Sequence, residues 1–321
     1  MTRTAVLREQ LERFQVAIYF VTVLAAGAAA TLMAGTEALE RAIDPALVLM
    51  LFATFLQLPL TSLGRAIRDY RFLFALMVCN FLLVPLLVAA MLPFMPADPL
   101  VRLGIVLVLL TPCVDYVITF SHAGRADSGL LLASTPILLF VQLLLLPVFL
   151  RVFPGDVAAG LLQPVLFLKA LIGLIVIPLL LAGLVQWWAG RSRFGQHVER
   201  MLGVVPVPAT ALVLFVVVAA VMPRLEAALS VAISAVPFYV AFAVMAPVIG
   251  WMVSRLLGLN ASASRAVAFS TATRNSLVVL PLALAVPGAI PLLPAVIVAQ
   301  TMVELLASLV YMRVMPKLGG G

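Results

Sequence analysis

The chain has 321 residues, 64% of them hydrophobic and only 10% charged, with a formal net charge of +7 and a mean hydropathy of +1.22. Soluble domains are about 45–50% apolar and about 25% charged, so a water-soluble globule is excluded and lipid must solvate most of the surface. The positive charge sits in short loops between apolar runs, which ties it to membrane topology and not to nucleic acid.

Backbone groups in lipid must be satisfied internally, which leaves helices or a closed barrel. Barrel strands alternate in polarity over about ten residues, whereas stretches such as 72–92 and 238–253 are continuously apolar; the spans are helical. A polar head, with Arg3, Arg8, Glu9, Glu12 and Arg13 and no evident cleavage site, precedes the first span. At about 20 residues per span, the predicted spans lie at 14–34, 46–63, 72–94, 101–121 and 128–150. A second set lies at 164–188, 201–222, 231–254, 265–286 and 292–313. With the N-terminus inside, fourteen basic residues fall on the cytoplasmic side, among them Arg65, Arg68, Arg71, Arg125, Arg191, Arg265, Arg313 and Lys317. Five (Arg41, Arg102, Arg151, Lys169 and Arg224) fall on the other. That asymmetry is the positive-inside pattern, and an odd count of spans would misplace Arg313 and Lys317. The expectation is an all-α, ten-span protein of the cell (plasma) membrane with both termini cytoplasmic.

Within the spans, polar residues mark breaks. Gln57, Asn80 and Gln142 are placed as bridges between helices, and Cys79, in a smooth apolar stretch, as packing. Thr111-Pro112-Cys113-Val114-Asp115 interrupts the fourth span and Thr271-Ala272-Thr273-Arg274-Asn275 the ninth, offset by 160 residues, half the chain. Five spans is an odd number, so two such halves, 1–160 and 161–321, would be inverted relative to each other. Interrupted helices in corresponding positions of inverted halves point to a transporter's binding site. Ionisable residues inside a membrane are costly and face a cavity or a partner. Asp115 and Arg274 would meet if the broken helices cross, either as a structural pair or as solute contacts. Glu304, in the tenth span without an obvious local partner, suits a group that takes up and releases a proton, or one tied to a Ser or Thr nearby. The Cys113 thiol sits where Pro112 frees backbone groups; a thiolate is a soft ligand for metalloids, although a buried cysteine also packs as a small hydrophobe.

The order of spans, with Thr111-Pro-Cys-Val-Asp in the fourth and Ala268-Phe-Ser-Thr-Ala-Thr-Arg-Asn in the ninth, resembles the bile acid/sodium symporter superfamily. With Phe52-Ala-Thr-Phe-Leu-Gln-Leu-Pro-Leu ahead of Arg65, it looks most like the arsenical-resistance branch, whose members export arsenite. The resemblance runs from about residue 14 to about residue 313. It implies a ten-helix fold with a panel and a core domain, and two broken helices crossing in the core. It also implies a required cysteine at Cys113, an important glutamate at Glu304 and an asparagine at Asn275. The chain departs from the branch at Leu277, where an acidic residue is usual, at Arg274 in place of a second asparagine, and at Asp115 in place of a small residue. Residues 271–276 offer no carboxylate, so a bile-acid-type sodium site looks degraded.

The leading expectation is an arsenite or trivalent-metalloid exporter exchanging protons. Thr111, Cys113, Asp115, Thr271, Arg274 and Asn275 would contact the solute, with Cys113 the metalloid contact, and Glu304 and Asp115 would carry the proton. The alternative is sodium- or proton-coupled uptake of a small organic anion, favoured by a guanidinium able to grip a carboxylate with two bonds. No cofactor is expected. His122 and His197 stand at cytoplasmic positions outside any H-E-x-x-H pair, and neither a G-x-S-x-G motif nor a Walker glycine loop is found, so an enzyme is not expected.

Overall fold

The computed structural model describes residues 3–33, 35–58, 68–114, 116–153 and 164–319. These form helices and their connections, with no strand among the described residues. In chain order the helices are α1 (Arg3–Leu32), α2 (Ile43–Phe55), α3 (Tyr70–Phe94), α4 (Pro99–Leu109), α5 (Val117–Ala123) and α6 (Ser128–Val152). Next comes α7, in three contiguous segments, Pro164–Ala170, Leu171–Val176 and Ile177–Ala189. The last six are α8 (Arg193–Leu202), α9 (Pro206–Val221), α10 (Leu225–Leu256), α11 (Ala261–Ala272), α12 (Ser276–Leu284) and α13 (Leu292–Val314).

Among the described residues, six helices are long and apolar enough to cross a membrane unaided. Their apolar cores are Val6–Leu32, Tyr70–Phe94, Ser128–Val152, Leu168–Ala189, Leu229–Leu256 and Leu292–Lys317. The pair α8 and α9, bent by 41°, adds a further candidate. Leu24, Phe94, Phe140 and Leu256 are each at least 69% exposed, an arrangement that water would oppose and hydrocarbon does not. The chain is a multi-pass membrane protein.

Two expectations need correcting at the seventh span. Its predicted start at 201 falls in the last turn of α8, ahead of the break before α9, and the stretch before it, read as a loop, is a helix. Ser192 caps that helix, its Oγ accepting from the Gly195 N–H at 3.4 Å, and Arg193, His197, Glu199 and Arg200 give it a polar face that hydropathy alone reads as a loop.

Two wide turns of π-helix interrupt otherwise regular helices, at Cys79–Leu83 in α3 and at Leu171–Val176 in α7. Both end just ahead of a proline, Pro85 and Pro178 respectively. A proline ring clashes with the carbonyl four residues back and donates no hydrogen bond; widening the preceding turn relieves both faults. In α3 the widened turn carries Asn80, whose side chain is turned inward to α11.

The chain divides into two compact units. One comprises Met1–Gln57, Leu162–Ser230 and Leu280–Val298; the other comprises Leu58–Leu161, Val231–Val279 and Ala299–Gly321. In the first unit α9 packs against α1 and α2, and α7 against α2 and α8. The terminal carbonyls of α2, which have no intrahelical donor, are met by Gln186, whose Nε2 lies 2.9 Å from the Leu56 oxygen. Gln57 reaches the Gly203 oxygen at 3.5 Å, as a bridge should. A cavity of about 480 Å³ in this unit is lined in part by Asp44, Lys169, Gly173 and Pro281; among the described residues, none singled out from the sequence as a solute contact lines it.

The second unit packs α11 against α3, α5 and α6. Gly250 of α10 also meets α11: a Cβ there would lie 2.7 Å from Thr271 Oγ1 and 2.9 Å from the Ala268 Cα. Gly250→Ala should therefore push α10 off α11 and cost about 1–3 kcal/mol, read as a lower unfolding temperature of the detergent-solubilised protein. An unchanged transition would mean that the contact is not tight. Arg265, expected at the cytoplasmic end of the ninth span, is 7% exposed. It donates from Nε and Nη2 to the Leu318 oxygen and from Nη1 to the Arg125 oxygen, so it clasps the C-terminal end. Gln142 is buried with both amide atoms unpartnered among the described residues, and the bridge expected of it is not seen.

Candidate functional site: two broken helices that cross

The fourth and ninth predicted spans are each broken where the sequence places the break. Helix α4 stops at Leu109 and α5 begins at Val117; α11 stops at Ala272 and α12 begins at Ser276. The two breaks meet. Pro112 lies opposite Arg274 in an isolated antiparallel bridge. The Cys113 N–H donates to the Thr273 oxygen at 3.1 Å, and the Asn275 N–H donates to the Thr111 oxygen at 2.7 Å. Backbone groups freed by a break inside a membrane must find partners, and each break supplies them for the other. Proline is accommodated because these two bonds flank the Pro112–Arg274 pair and require no donor from it.

The threonines are turned to their own helices. Thr111 Oγ1 donates back to the Leu107 and Val108 oxygens at 3.1 and 2.9 Å, and Thr271 Oγ1 to the Val267 oxygen at 2.7 Å. Their hydroxyl protons are thus committed to the helix ends, which limits Thr111 and Thr271 to accepting bonds from a solute. Cys113 is fully buried at the crossing. Cys79, assigned to packing from the sequence, is also buried. Neither cysteine forms a disulfide. Among the described residues no three His, Cys, Asp or Glu side chains cluster as metal ligands would.

Arg274 is the largest fully buried side chain among the described residues. Its Nη2 lies 2.8 Å from Asn80 Oδ1, 2.8 Å from the Ser270 oxygen and 2.6 Å from the Thr271 oxygen. Nη1 reaches the Leu109 oxygen at 3.3 Å, and the guanidinium carbon stands 5.3 Å from the centre of the Phe242 ring, close enough for a cation–π contact. Asn80 completes the bridge by donating to Ser270 Oγ at 3.1 Å. Asp115, the partner expected for Arg274 from the sequence, lies outside the described residues.

Glu304 has partners, contrary to the reading from the sequence. Its Oε2 accepts from the Arg274 backbone N–H at 2.7 Å and from Gln300 Nε2 at 2.5 Å, and its Oε1 accepts from the Tyr116 hydroxyl at 2.8 Å. Gln300 stands one turn earlier on α13, where an i, i+4 neighbour is expected to meet it. The other two donors arrive only through the crossing. A cavity of about 10 Å³, lined in part by Glu304, Gln300, Tyr239 and Tyr311, lies against the carboxylate and is close to the size of one water. Asn275 is 1% exposed and its Nδ2 has no partner among the described residues. A buried donor left unmatched costs about 1–3 kcal/mol.

Of the residues singled out from the sequence, Thr111, Cys113, Thr271, Arg274, Asn275 and Glu304 therefore come together. Tyr116, Gln300 and Ser270 join them unforeseen. Gln300 was legible from its spacing to Glu304; Tyr116 and Ser270 carried no sequence signal beyond standing beside the breaks.

A family model described as "Sodium Bile acid symporter family" matches residues 44–227. No curated protein matches the chain.

Proposed function

The chain belongs to the sodium bile acid symporter family, whose members are transporters, and from that premise we propose that it exports arsenite or a related trivalent metalloid in exchange for protons. This reading places it in the arsenical-resistance branch. It takes the transmembrane domain as ten spans in two inverted repeats, 1–160 and 161–321, with both termini cytoplasmic. In support of the repeats, each half carries one of the two broken helices, and both compact units draw on both halves.

The observation that carries the cargo reading is the position of Cys113. A soft thiol is held at the crossing by its own N–H bond to Thr273. The unmatched Asn275 amide, in the facing break, offers a donor to a metalloid hydroxyl. Glu304, beside a water-sized cavity, is the proton carrier, and Asp115 is a second candidate. Solute binding and proton release then compete at one crossing, which is the requirement for exchange.

Everted membrane vesicles test the reading. With an imposed pH gradient they should accumulate arsenite, and Cys113→Ser should reduce this at least tenfold. Full arsenite transport by Cys113→Ser would overturn the thiol role. The second reading, uptake of a small organic anion, is favoured by the family match itself. Against it, Nη2 of Arg274 is shared among three protein oxygens and Nη1 donates to a fourth. Nε has no partner among the described residues, but either two-bond grip on a carboxylate needs Nη2 as well. Sodium-driven uptake of a bile-acid-like anion by intact cells, with no arsenite export, would establish the second reading over the first.

A further inference from the structure

The surroundings of the Arg274 guanidinium have the make-up of a monovalent-cation site. Four neutral oxygens face it: the side-chain Asn80 Oδ1 and the main-chain oxygens of Leu109, Ser270 and Thr271. Leu109 is the last residue of α4, and Ser270 and Thr271 lie in the last turn of α11. Carbonyls in a last turn lack intrahelical donors and carry the negative end of the helix dipole. Two half-helix C-termini thus converge on one point, with an amide oxygen supplied by the wide turn of α3. Freed carbonyls at half-helix C-termini are how membrane carriers hold sodium, since carbonyl oxygens replace the ion's hydration shell. Here the positive charge in that cage belongs to the chain.

We propose that Arg274 is a tethered cation that permanently fills a sodium-type site, so that this carrier binds no sodium in its cycle. A dissociable ion couples transport by entering and leaving. A guanidinium attached to the backbone of the crossing cannot leave, and its own backbone N–H is bonded to the Glu304 carboxylate at 2.7 Å. The charge that changes during the cycle must then reside elsewhere, and Glu304 is the titratable group in contact with the same residue. The inference rests on family membership and the crossing geometry, and holds for any solute.

Thermal unfolding of the purified protein in detergent, in sodium chloride or choline chloride at equal ionic strength, tests it without any solute. The wild type should unfold at the same temperature in both salts. Arg274→Ala empties the cage and should unfold earlier in choline, then recover by about 5 °C in saturating sodium. Arg274→Lys keeps a tethered charge and should be indifferent to sodium. Specific stabilisation of the wild type by sodium would overturn the proposal. So would an Arg274→Ala protein with equal transitions in the two salts, one that folds in neither, or a sodium response in Arg274→Lys. Because no arsenite enters this measurement, loss of the metalloid reading by itself would leave the proposal standing, whereas sodium-driven uptake would overturn both.

Discussion

Glu304→Gln is expected to abolish pH-gradient-driven export, with flux in everted vesicles falling more than tenfold and losing its dependence on the gradient. Three donors converge on this carboxylate: the Arg274 N–H, Gln300 Nε2 and the Tyr116 hydroxyl. An ionised carboxylate only accepts, whereas an amide presents one acceptor and one donor group. The substituted amide can keep its oxygen towards the Arg274 N–H and Gln300 and set its NH2 towards the Tyr116 hydroxyl, which accepts as well as donates. That hydroxyl has the Arg274 carbonyl oxygen 3.3 Å away for its own proton, so the crossing should hold. The substitution removes the group that exchanges a proton. Export that kept its rate and its pH dependence in Glu304→Gln would remove Glu304 from the coupling mechanism.

Arg274→Leu should have the largest effect on stability. It leaves Asn80 Oδ1 and three carbonyl oxygens facing an apolar side chain, and Asn80 loses one of the bonds that tie α3 to α11. Removing one partner of a buried charged network costs about 3–5 kcal/mol, so the unfolding temperature should drop by roughly 5–15 °C. Leucine fills much of the cage, so sodium should not restore it, which separates this variant from Arg274→Ala. A transition within about 1 °C of the wild type would show that the guanidinium's hydrogen bonds contribute little to the fold.

Some features were legible in one dimension. Pro112 and the polar run 271–275 announced both breaks, because lipid penalises a proline or a cluster of polar side chains in a continuous span unless the helix opens there. Arg274 was recognisable as costly and therefore partnered. Its partners were not recognisable. Asp115, the obvious candidate by charge, lies outside the described residues; the acceptors described around the guanidinium are an amide 194 residues away in the chain and three backbone carbonyls. Backbone carbonyls are present at every residue and leave no mark on a sequence. Asn80 reaches Arg274 from a helix that is widened at that point, a departure that hydropathy does not register. Glu304 was read as lacking an obvious local partner, with a nearby Ser or Thr as the alternative; Tyr116, which meets it, stands 188 residues away.

The sequence by itself determined that this chain lives in lipid, that its spans are helical, and where its two breaks fall. Those follow from transfer free energies that each residue carries wherever it is placed. Only the tertiary structure decided which donor meets which acceptor. That the freed ends of two half-helices close around Arg274, and that Tyr116 and the Arg274 N–H settle on Glu304, depend on where two breaks cross, and crossing is a property of packed helices that no single segment contains.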